Sequence, residues 1–178
     1  RRAQDRPGPY RWAVQVFFLA IALSAALSLA SETSLGGAGA AAAAAVLAVF
    51  IGLGILFDII GVAVTAADPR PFHSMAAHKA PGAREALMLL RNAGRVSSVC
   101  NDVVGDICGI VSGTTTAVIV VRLQTAFALP ESVLLSVAVT ALVSGLTIGG
   151  KALGKTVALN KSTSVVYWVG RVLHLFHR

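Results

Sequence analysis

The sequence is short of charge. Asp, Glu, Lys and Arg make up 13% of its 178 residues, whereas soluble domains carry about 25%. Aromatic residues contribute only 6%, while apolar residues as a whole contribute 56%. Because so little charge cannot cover the surface of a water-soluble domain, the composition favours a membrane protein.

Cysteine is also scarce, with Cys100 and Cys108 alone. They lie eight residues apart on one predicted helix, which separates them by about 12 Å. That distance excludes a disulfide, so we expect two small buried side chains. No nucleophile, base and acid set for hydrolysis stands out, and the chain is not expected to be an enzyme. A membrane enzyme that uses its acids on lipid is a weaker alternative.

The sequence does contain four apolar runs, each of about the length that crosses a bilayer. They cover residues of about 12–30, 38–67, 96–121 and 132–150. In two further segments, about 82–95 and 161–177, apolar residues recur at helical spacing opposite basic ones, a pattern that predicts interfacial helices. The predicted fold is therefore all-α: a polytopic membrane protein with one domain over residues 1–178, four transmembrane helices and two cytoplasmic interfacial helices.

The basic residues predict the orientation. Four of the 15 lysines and arginines precede the first run, five lie between Asp68 and Arg95, and five lie from Lys151 onward. Arg122 is the only one in the remaining loops. Because positively charged loops stay inside, we expect a multi-pass protein of the cell membrane with both termini cytoplasmic. Anionic headgroups of the lipid bilayer then account for the net charge of +7 without a nucleic acid partner.

One motif is misleading. Residues 149–156 (GGKALGKT) fit the phosphate-loop expression G-x-x-x-x-G-K-T, but such a loop works between a strand and a helix of an α/β domain. Here the run ends a predicted span. We interpret the match as a coincidence, and Lys151 and Lys155 as markers of the cytoplasmic boundary.

Three acids interrupt the apolar runs: Asp58 in the second, and Asp102 and Asp106 in the third. Each costs about 3 kcal/mol or more at membrane depth. Ser98, Asp102 and Asp106 follow an i, i+4, i+8 pattern and share one helix stripe, with Asn101 beside it. We expect them to line a polar interior that attracts a cation or proton. The alternative is that the acids are protonated or capped by hydroxyls and only tie helices together.

Gly105, Gly109 and Gly113 form two overlapping small-xxx-small steps on the same predicted helix. Such steps allow another helix backbone to approach closely. The pattern favours a homodimer packed through faces of small residues.

Four short segments follow one another in a recognisable order. Residues 57–64 (FDIIGVAV) are followed by 82–92 (GAREALMLLRN), 95–98 (RVSS) and 150–159 (GKALGKTVAL). The second matches G-x-x-x-A-L-x-L-L-x-N, and the last shares its Lys, Ala and Leu with Gly-Glu-x-x-Pro-Lys-x-x-Ala-Leu. In this order the segments resemble the transmembrane domain of the cyclin M / CorC magnesium transporters. The likeness covers about residues 39–178, and the first run is an extra leading span.

The resemblance implies a dimer that holds a largely dehydrated Mg²⁺ among Ser, Glu and Asn oxygens. Several positions depart from the family. Ile60 and Gly61 stand where it has a Ser and a Glu, and Lys151 and Gly154 stand where it has a Glu and a Pro.

The leading hypothesis is a cation transporter, divalent and Mg²⁺-like. Its metal site would comprise Asp58, Ser98, Asn101, Asp102 and Asp106, in which Ser98 keeps a hydroxyl ligand and the acids supply the lost charge. Hard oxygen ligands suit Mg²⁺, and they also suit Na⁺, Mn²⁺ and protons. The alternative is a non-transporting assembly or regulatory subunit that uses the same fold to hold another membrane subunit.

Overall fold

The described residues, 9–36, 39–127 and 133–176, form helices joined by short turns. The computed structural model contains α1 (Pro9–Leu35), α2 (Ala40–Ala66), α3 (Arg70–Ala77), α4 (Ala83–Arg91), α5 (Ala93–Ser98), a π-helical segment (Val99–Gly105), α6 (Asp106–Ala126), α7 (Val133–Asn160) and α8 (Ser162–Phe176). No strand occurs within those ranges. The first part of the basic head, the turn at Pro130 and the last two residues of the tail lie outside them.

Four of these helices are long and apolar enough to cross a membrane. They are α1, α2, α7 and the continuous stretch Ala93–Ala126, which joins α5, the π-helical segment and α6 and is called the third span below. The predicted all-α fold and its four apolar helices are thus confirmed. α1, α7 and the third span are longer than predicted, whereas α2 lies within its predicted bounds of 38–67.

The clearest correction concerns α7. Its predicted end was Gly150, yet the helix continues to Asn160. The phosphate-loop match therefore lies inside a regular helix, where the backbone amides are occupied by intrahelical hydrogen bonds. Lys151 accordingly belongs to the body of α7 and not to its end.

α2 is the axis of the bundle, since it contacts both the third span and α7. A side chain at Gly54 would contact Cys108, and a side chain at Gly154 would lie within 3.3 Å of both Ile55 and Ile59. Small residues thus bring the neighbouring helices close to α2, as expected for apolar helices that gain little from hydrophobic burial in lipid.

α1 is fastened to the third span at both ends. The guanidinium of Arg95 lies 5.0 Å from the centre of the Trp12 ring, an ordinary cation–π distance. Near the other end, the hydroxyls of Ser31 and Thr115 are 3.3 Å apart and buried. Arg122 donates to the backbone carbonyl of Leu35, one of the carbonyls that the end of α1 leaves unpaired. The two helices therefore run parallel.

α3, α4 and α8 gather at one end of the bundle, called the basic end below. Phe72, Ala86 and Val166, one from each helix, are completely buried in a cluster that also contains Ala63 and Val64 of α2. Segments 82–95 and 161–177 are therefore largely helical as predicted. The former is interrupted at Asn92, whose side-chain amide donates to the carbonyl of Met88 and caps α4. The interfacial position of both stays a prediction.

α3 is an addition to the prediction, which treated residues 68–81 as a polar segment. Asp68 accepts a hydrogen bond from the Arg70 amide at 2.9 Å, and Pro71 occupies the first turn, where a missing N–H costs nothing. The short helix exists because Phe72 is buried against α2, α4 and α8, a tertiary contact that no local pattern reveals.

Gly82 closes the basic end. Its φ of +85° is a left-handed conformation that costs other residues about 1–2 kcal/mol. A Cβ there would also lie 2.6 Å from the backbone nitrogen of Arg171. The turn before α4 therefore requires glycine in order to pack against α8.

We expect Gly82→Ala to lower the unfolding midpoint in detergent by about 4–8 °C, since a loss of about 2 kcal/mol corresponds to such a shift. Thermal unfolding followed by circular dichroism measures it. Gly94→Ala is the matched control, because nothing lies within 4 Å of its Cβ position and alanine favours helix. Equal midpoints for the two variants would contradict the assigned role of Gly82.

Candidate functional site

A π-helical segment lies in the first half of the third span. It covers Val99–Gly105 and carries Asn101 and Asp102, with Ser98 directly before it and Asp106 directly after it. π-helical turns are rare and occur frequently at functional sites. Four of the five predicted site residues are therefore within or next to an unusual stretch of backbone, which no pattern in the sequence predicted.

Ser98, Asp102 and Asp106 form what is called the acid stripe below. The Ser98 hydroxyl donates to Oδ2 of Asp102 at 2.7 Å, a length typical of a hydroxyl bound to a carboxylate. This contact confirms that the two residues are neighbours one turn apart. Asp102 and Asp106 are both exposed on the single chain. The expectation that they face the interior of the bundle is not met within one copy of the chain.

Asn101 faces a different side of the helix. Its amide nitrogen donates to the Ser97 hydroxyl at 3.3 Å, and its Oδ1 is buried without a hydrogen-bond partner. A buried acceptor left unpaired costs about 1–3 kcal/mol. The side chain lies against Gly61 of α2, where a Cβ would overlap it. Asn101 thus contacts α2, whereas Asp102 and Asp106 are open to the surroundings.

Asp58 lies on α2 at the same depth as these residues. Gly54, one turn before it, is near Cys108 and the carbonyl of Gly105, and Gly61, one turn after it, contacts Asn101. Asp58 is half-buried and shares the helix face of both glycines. Asp58 therefore lies at the same depth as the predicted site residues of the third span.

Lys151, which the sequence analysis interprets as a marker of the cytoplasmic boundary, lies within α7 beside the third span. Its Nζ lies 3.7 Å from the position that a Cβ on Gly105 would take, so the ammonium reaches the depth between Asp102 and Asp106. It is half-buried, whereas Lys155 one turn later is exposed. Lys151 forms no ion pair within 4.0 Å in the described part of the chain. It nevertheless adds a positive charge at the level of the acids.

The five predicted ligands do not form one compact cluster. Among residues 9–36, 39–127 and 133–176, no group of three or more His, Cys, Asp or Glu side chains is placed to hold a metal ion. Ser98 and Asp102 are joined, Asn101 is directed toward α2, and Asp106 is exposed one turn beyond Asp102. A single copy therefore offers separate oxygen ligands at one depth.

Comparison of the chain with models of protein families, with curated proteins and with solved structures returned no match. The class that the fold defines is thus an all-helical protein with four helices that could span a membrane. The resemblance to the cyclin M / CorC transporters depends on the sequence segments alone.

We expect Gly61→Ala to destabilise the protein strongly, because the added Cβ overlaps the Asn101 side chain and overpacking typically costs about 1–3 kcal/mol. Gly52→Ala on the same helix is the control, since nothing lies within 4 Å of its Cβ position. The unfolding midpoint in detergent is the measurement.

The same contact predicts a rescue. In the Gly61→Ala background, the further change Asn101→Ala removes the amide that overlaps the new Cβ. It is therefore expected to raise the unfolding midpoint of the Gly61→Ala protein. A double variant no more stable than Gly61→Ala would show that the two positions are not coupled.

Proposed function

We propose that this chain is a cation transporter of the cell membrane, with Mg²⁺ as its first candidate ion, and that it works as a homodimer. The observation that carries the proposal is the acid stripe: two exposed carboxylates in the first half of an apolar helix long enough to span a bilayer. Both termini are cytoplasmic in this proposal, which puts the basic end at the inner leaflet.

The acid stripe supports a dimer because exposed acids cannot face lipid cheaply. A carboxylate within the membrane costs about 3 kcal/mol or more, and the carboxylate of Asp106 has no hydrogen bond or ion pair among the described residues. Gly109 and Gly113, directly beyond it, are exposed with nothing near their Cβ positions. A second copy that packs against these glycines would cover the acids and enclose a polar chamber.

The chemistry of the ligands supports a hard cation. The stripe offers a hydroxyl and two carboxylates, and Asp58 and the unpaired Oδ1 of Asn101 lie at the same depth. Mg²⁺ is commonly held by one or two carboxylates while it keeps several waters. Oxygen ligands from two copies of the chain would complete such a site.

The apolar surface of α8 supports an inner-leaflet position for the basic end. Trp168, Val172, Leu175 and Phe176 are exposed on this helix, and the guanidinium of Arg171 lies 5.4 Å from the centre of the Trp168 ring. Tryptophan and basic residues together are typical of helices at a membrane interface.

Removing the charge of Asp102 is expected to lower Mg²⁺ uptake at least about tenfold, since a loss of about 1.4 kcal/mol of ion binding suffices for that change. The measurement uses purified protein in lipid vesicles that contain a Mg²⁺-sensitive dye, with Asp102→Asn compared to wild type. Glu32→Gln, which removes an exposed acid distant from the stripe, is the control. Equal uptake by Asp102→Asn and wild type would eliminate the proposed site.

Lys151→Gln is expected to raise the apparent affinity for the divalent cation about threefold to tenfold, because a positive charge at the level of the acids repels the ion through a partly buried medium. Lys155→Gln removes the same charge at an exposed position one turn further along α7, and we expect it to change the affinity little. The concentration of Mg²⁺ that gives half-maximal uptake is the readout. An unchanged half-maximal concentration for Lys151→Gln would show that the Lys151 ammonium does not influence ion binding.

A second candidate is a non-transporting subunit that holds another membrane protein. The scattered ligands within one copy favour it, because an exposed carboxylate also suits a basic residue on a partner helix. Absence of uptake together with a stoichiometric second polypeptide in the purified complex would support this candidate against the transporter.

A further inference from the structure

A cavity of about 290 Å³ opens at the basic end, between the turn that follows α3, the start of α4 and the end of α8. Its volume is close to the lower end, about 300 Å³, of the range typical of small-ligand pockets. Four charged or titratable side chains line it: Lys79, Arg84, Glu85 and His174. None of them belongs to the predicted metal site or to the face assigned to a second copy.

Close backbone packing holds the walls of the cavity. A Cβ on Gly82 would lie 2.6 Å from the backbone nitrogen of Arg171, and a Cβ on Gly170 would overlap the carbonyl of Gly82. The turn before α4 therefore lies directly against α8. Across the same junction, Nδ1 of His174 lies 2.7 Å from Oε1 of Glu85. The native packing of the chain thus forms the cavity without any rearrangement.

The lining is positively charged on balance. Lys79 and Arg84 are exposed, whereas the Glu85 side chain is only 16% exposed and has His174 as a partner. Two cations and one carboxylate give a formal charge of plus one when His174 is neutral, and of plus two when it is protonated. Because ammonium and guanidinium groups bind phosphate oxygens through charge-assisted hydrogen bonds, this lining favours a phosphate group.

Lys79 occupies a position that favours glycine. Its φ of +55° is the only positive value of a non-glycine residue in the described part of the chain. Its amide donates to the carbonyl of Ala76, and the amide of Ala80 donates to the carbonyl of Met75, a pattern that ends many helices in a left-handed glycine. Lysine is less stable than glycine in this conformation. A costly backbone conformation at the wall of a cavity indicates that the lysine side chain serves the cavity.

The shape and polarity of the remaining surface favour a phosphate that is attached to a lipid. The rest of the lining consists of small apolar residues: Ala76, Ala80, Pro81 and Gly82. Such walls suit the carbon atoms beside an esterified phosphate better than they suit a hydrated inorganic anion. Leu175 and Phe176 follow His174 on α8 and are exposed, so a surface that suits acyl chains adjoins the cavity.

We propose that the cavity binds the phosphate of one anionic phospholipid of the inner leaflet. Lys79 and Arg84 donate hydrogen bonds to its oxygens, and its acyl chains lie along the apolar surface of α8. Basic pockets on the cytoplasmic side of membrane proteins bind lipid headgroups in this way. The inference rests on the proposed position of the basic end at the inner leaflet and not on ion transport.

The test measures lipid binding to the full chain in detergent by native mass spectrometry, with dihexanoyl phosphatidylglycerol as the probe. Lys79→Gly and Arg84→Gln are each expected to raise the dissociation constant at least about tenfold, because each removes a charged donor from the phosphate. Lys161→Gln removes an exposed basic residue that does not line the cavity. This control is expected to change the dissociation constant less than about twofold, since a charge outside the cavity is screened by salt.

Lys79→Gly separates binding from folding. Glycine relieves the left-handed conformation, so the unfolding midpoint of this variant is expected to equal or exceed that of the wild type. Wild-type affinity in both Lys79→Gly and Arg84→Gln would overturn the inference. Equal losses of affinity for these variants and for Lys161→Gln would also overturn it, because they would indicate a general attraction of basic residues in place of a site.

Two further probes identify the occupant. Dihexanoyl phosphatidylcholine, whose phosphate carries a compensating choline, is expected to bind about tenfold more weakly than phosphatidylglycerol. Inorganic phosphate at the concentration of the lipid is expected not to displace it. Equal binding of the two lipids would overturn the preference for an anionic lipid, and displacement by inorganic phosphate would assign the cavity to the free anion.

The outcome is independent of transport. Loss of the lipid site would leave the proposed ion site at the acid stripe unaffected, because the binding assay contains no divalent cation. Unchanged uptake by Asp102→Asn would equally leave the lipid site unaffected, since Asp102 does not line the cavity.

Discussion

A carboxylate within hydrocarbon has to find a polar neighbour, and the arrangement of the third span follows from this constraint. Asp102 obtains one such neighbour within its own helix, the hydroxyl of Ser98. Asp106 obtains none among the described residues. The ammonium of Lys151 reaches the intervening turn without forming an ion pair to any residue that the structure describes. One copy of the chain therefore satisfies its acids only in part, and under the proposed function a second copy and a cation supply the remainder.

The packing of α2 explains why these groups share one depth. Gly54 and Gly61 leave no side chain on the face of α2 that contacts the third span. Gly154 leaves none on α7 at its contact with Ile59. Helices that approach this closely are fixed in register by the small residues themselves. Asn101, within the π-helical segment, contacts Gly61, and its Oδ1 is buried without a partner.

The sequence predicted the four apolar helices because length and hydropathy alone specify them. It did not predict their ends, since the fourth run was predicted to end at about Gly150 although α7 continues to Asn160. Burial of Phe72 produces α3, and contact with α2 orients Asn101, so both depend on residues distant in the sequence. The approach of Lys151 to Gly105 is likewise a tertiary contact that no local pattern reveals. The contact between Ser98 and Asp102 was predictable because the spacing of four residues on one helix is enough to bring the two side chains together.

Charge explains why the proposed site favours a divalent ion. Asp58, Asp102, Asp106 and Lys151 carry a formal net charge of minus two, which one divalent cation neutralises and one monovalent cation does not. Because carboxylates can replace part of the hydration shell of Mg²⁺, loss of water is favourable at the acids. In the proposed transporter, an ion therefore loses water as it reaches the acid stripe, where Lys151 prevents it from binding too tightly to leave.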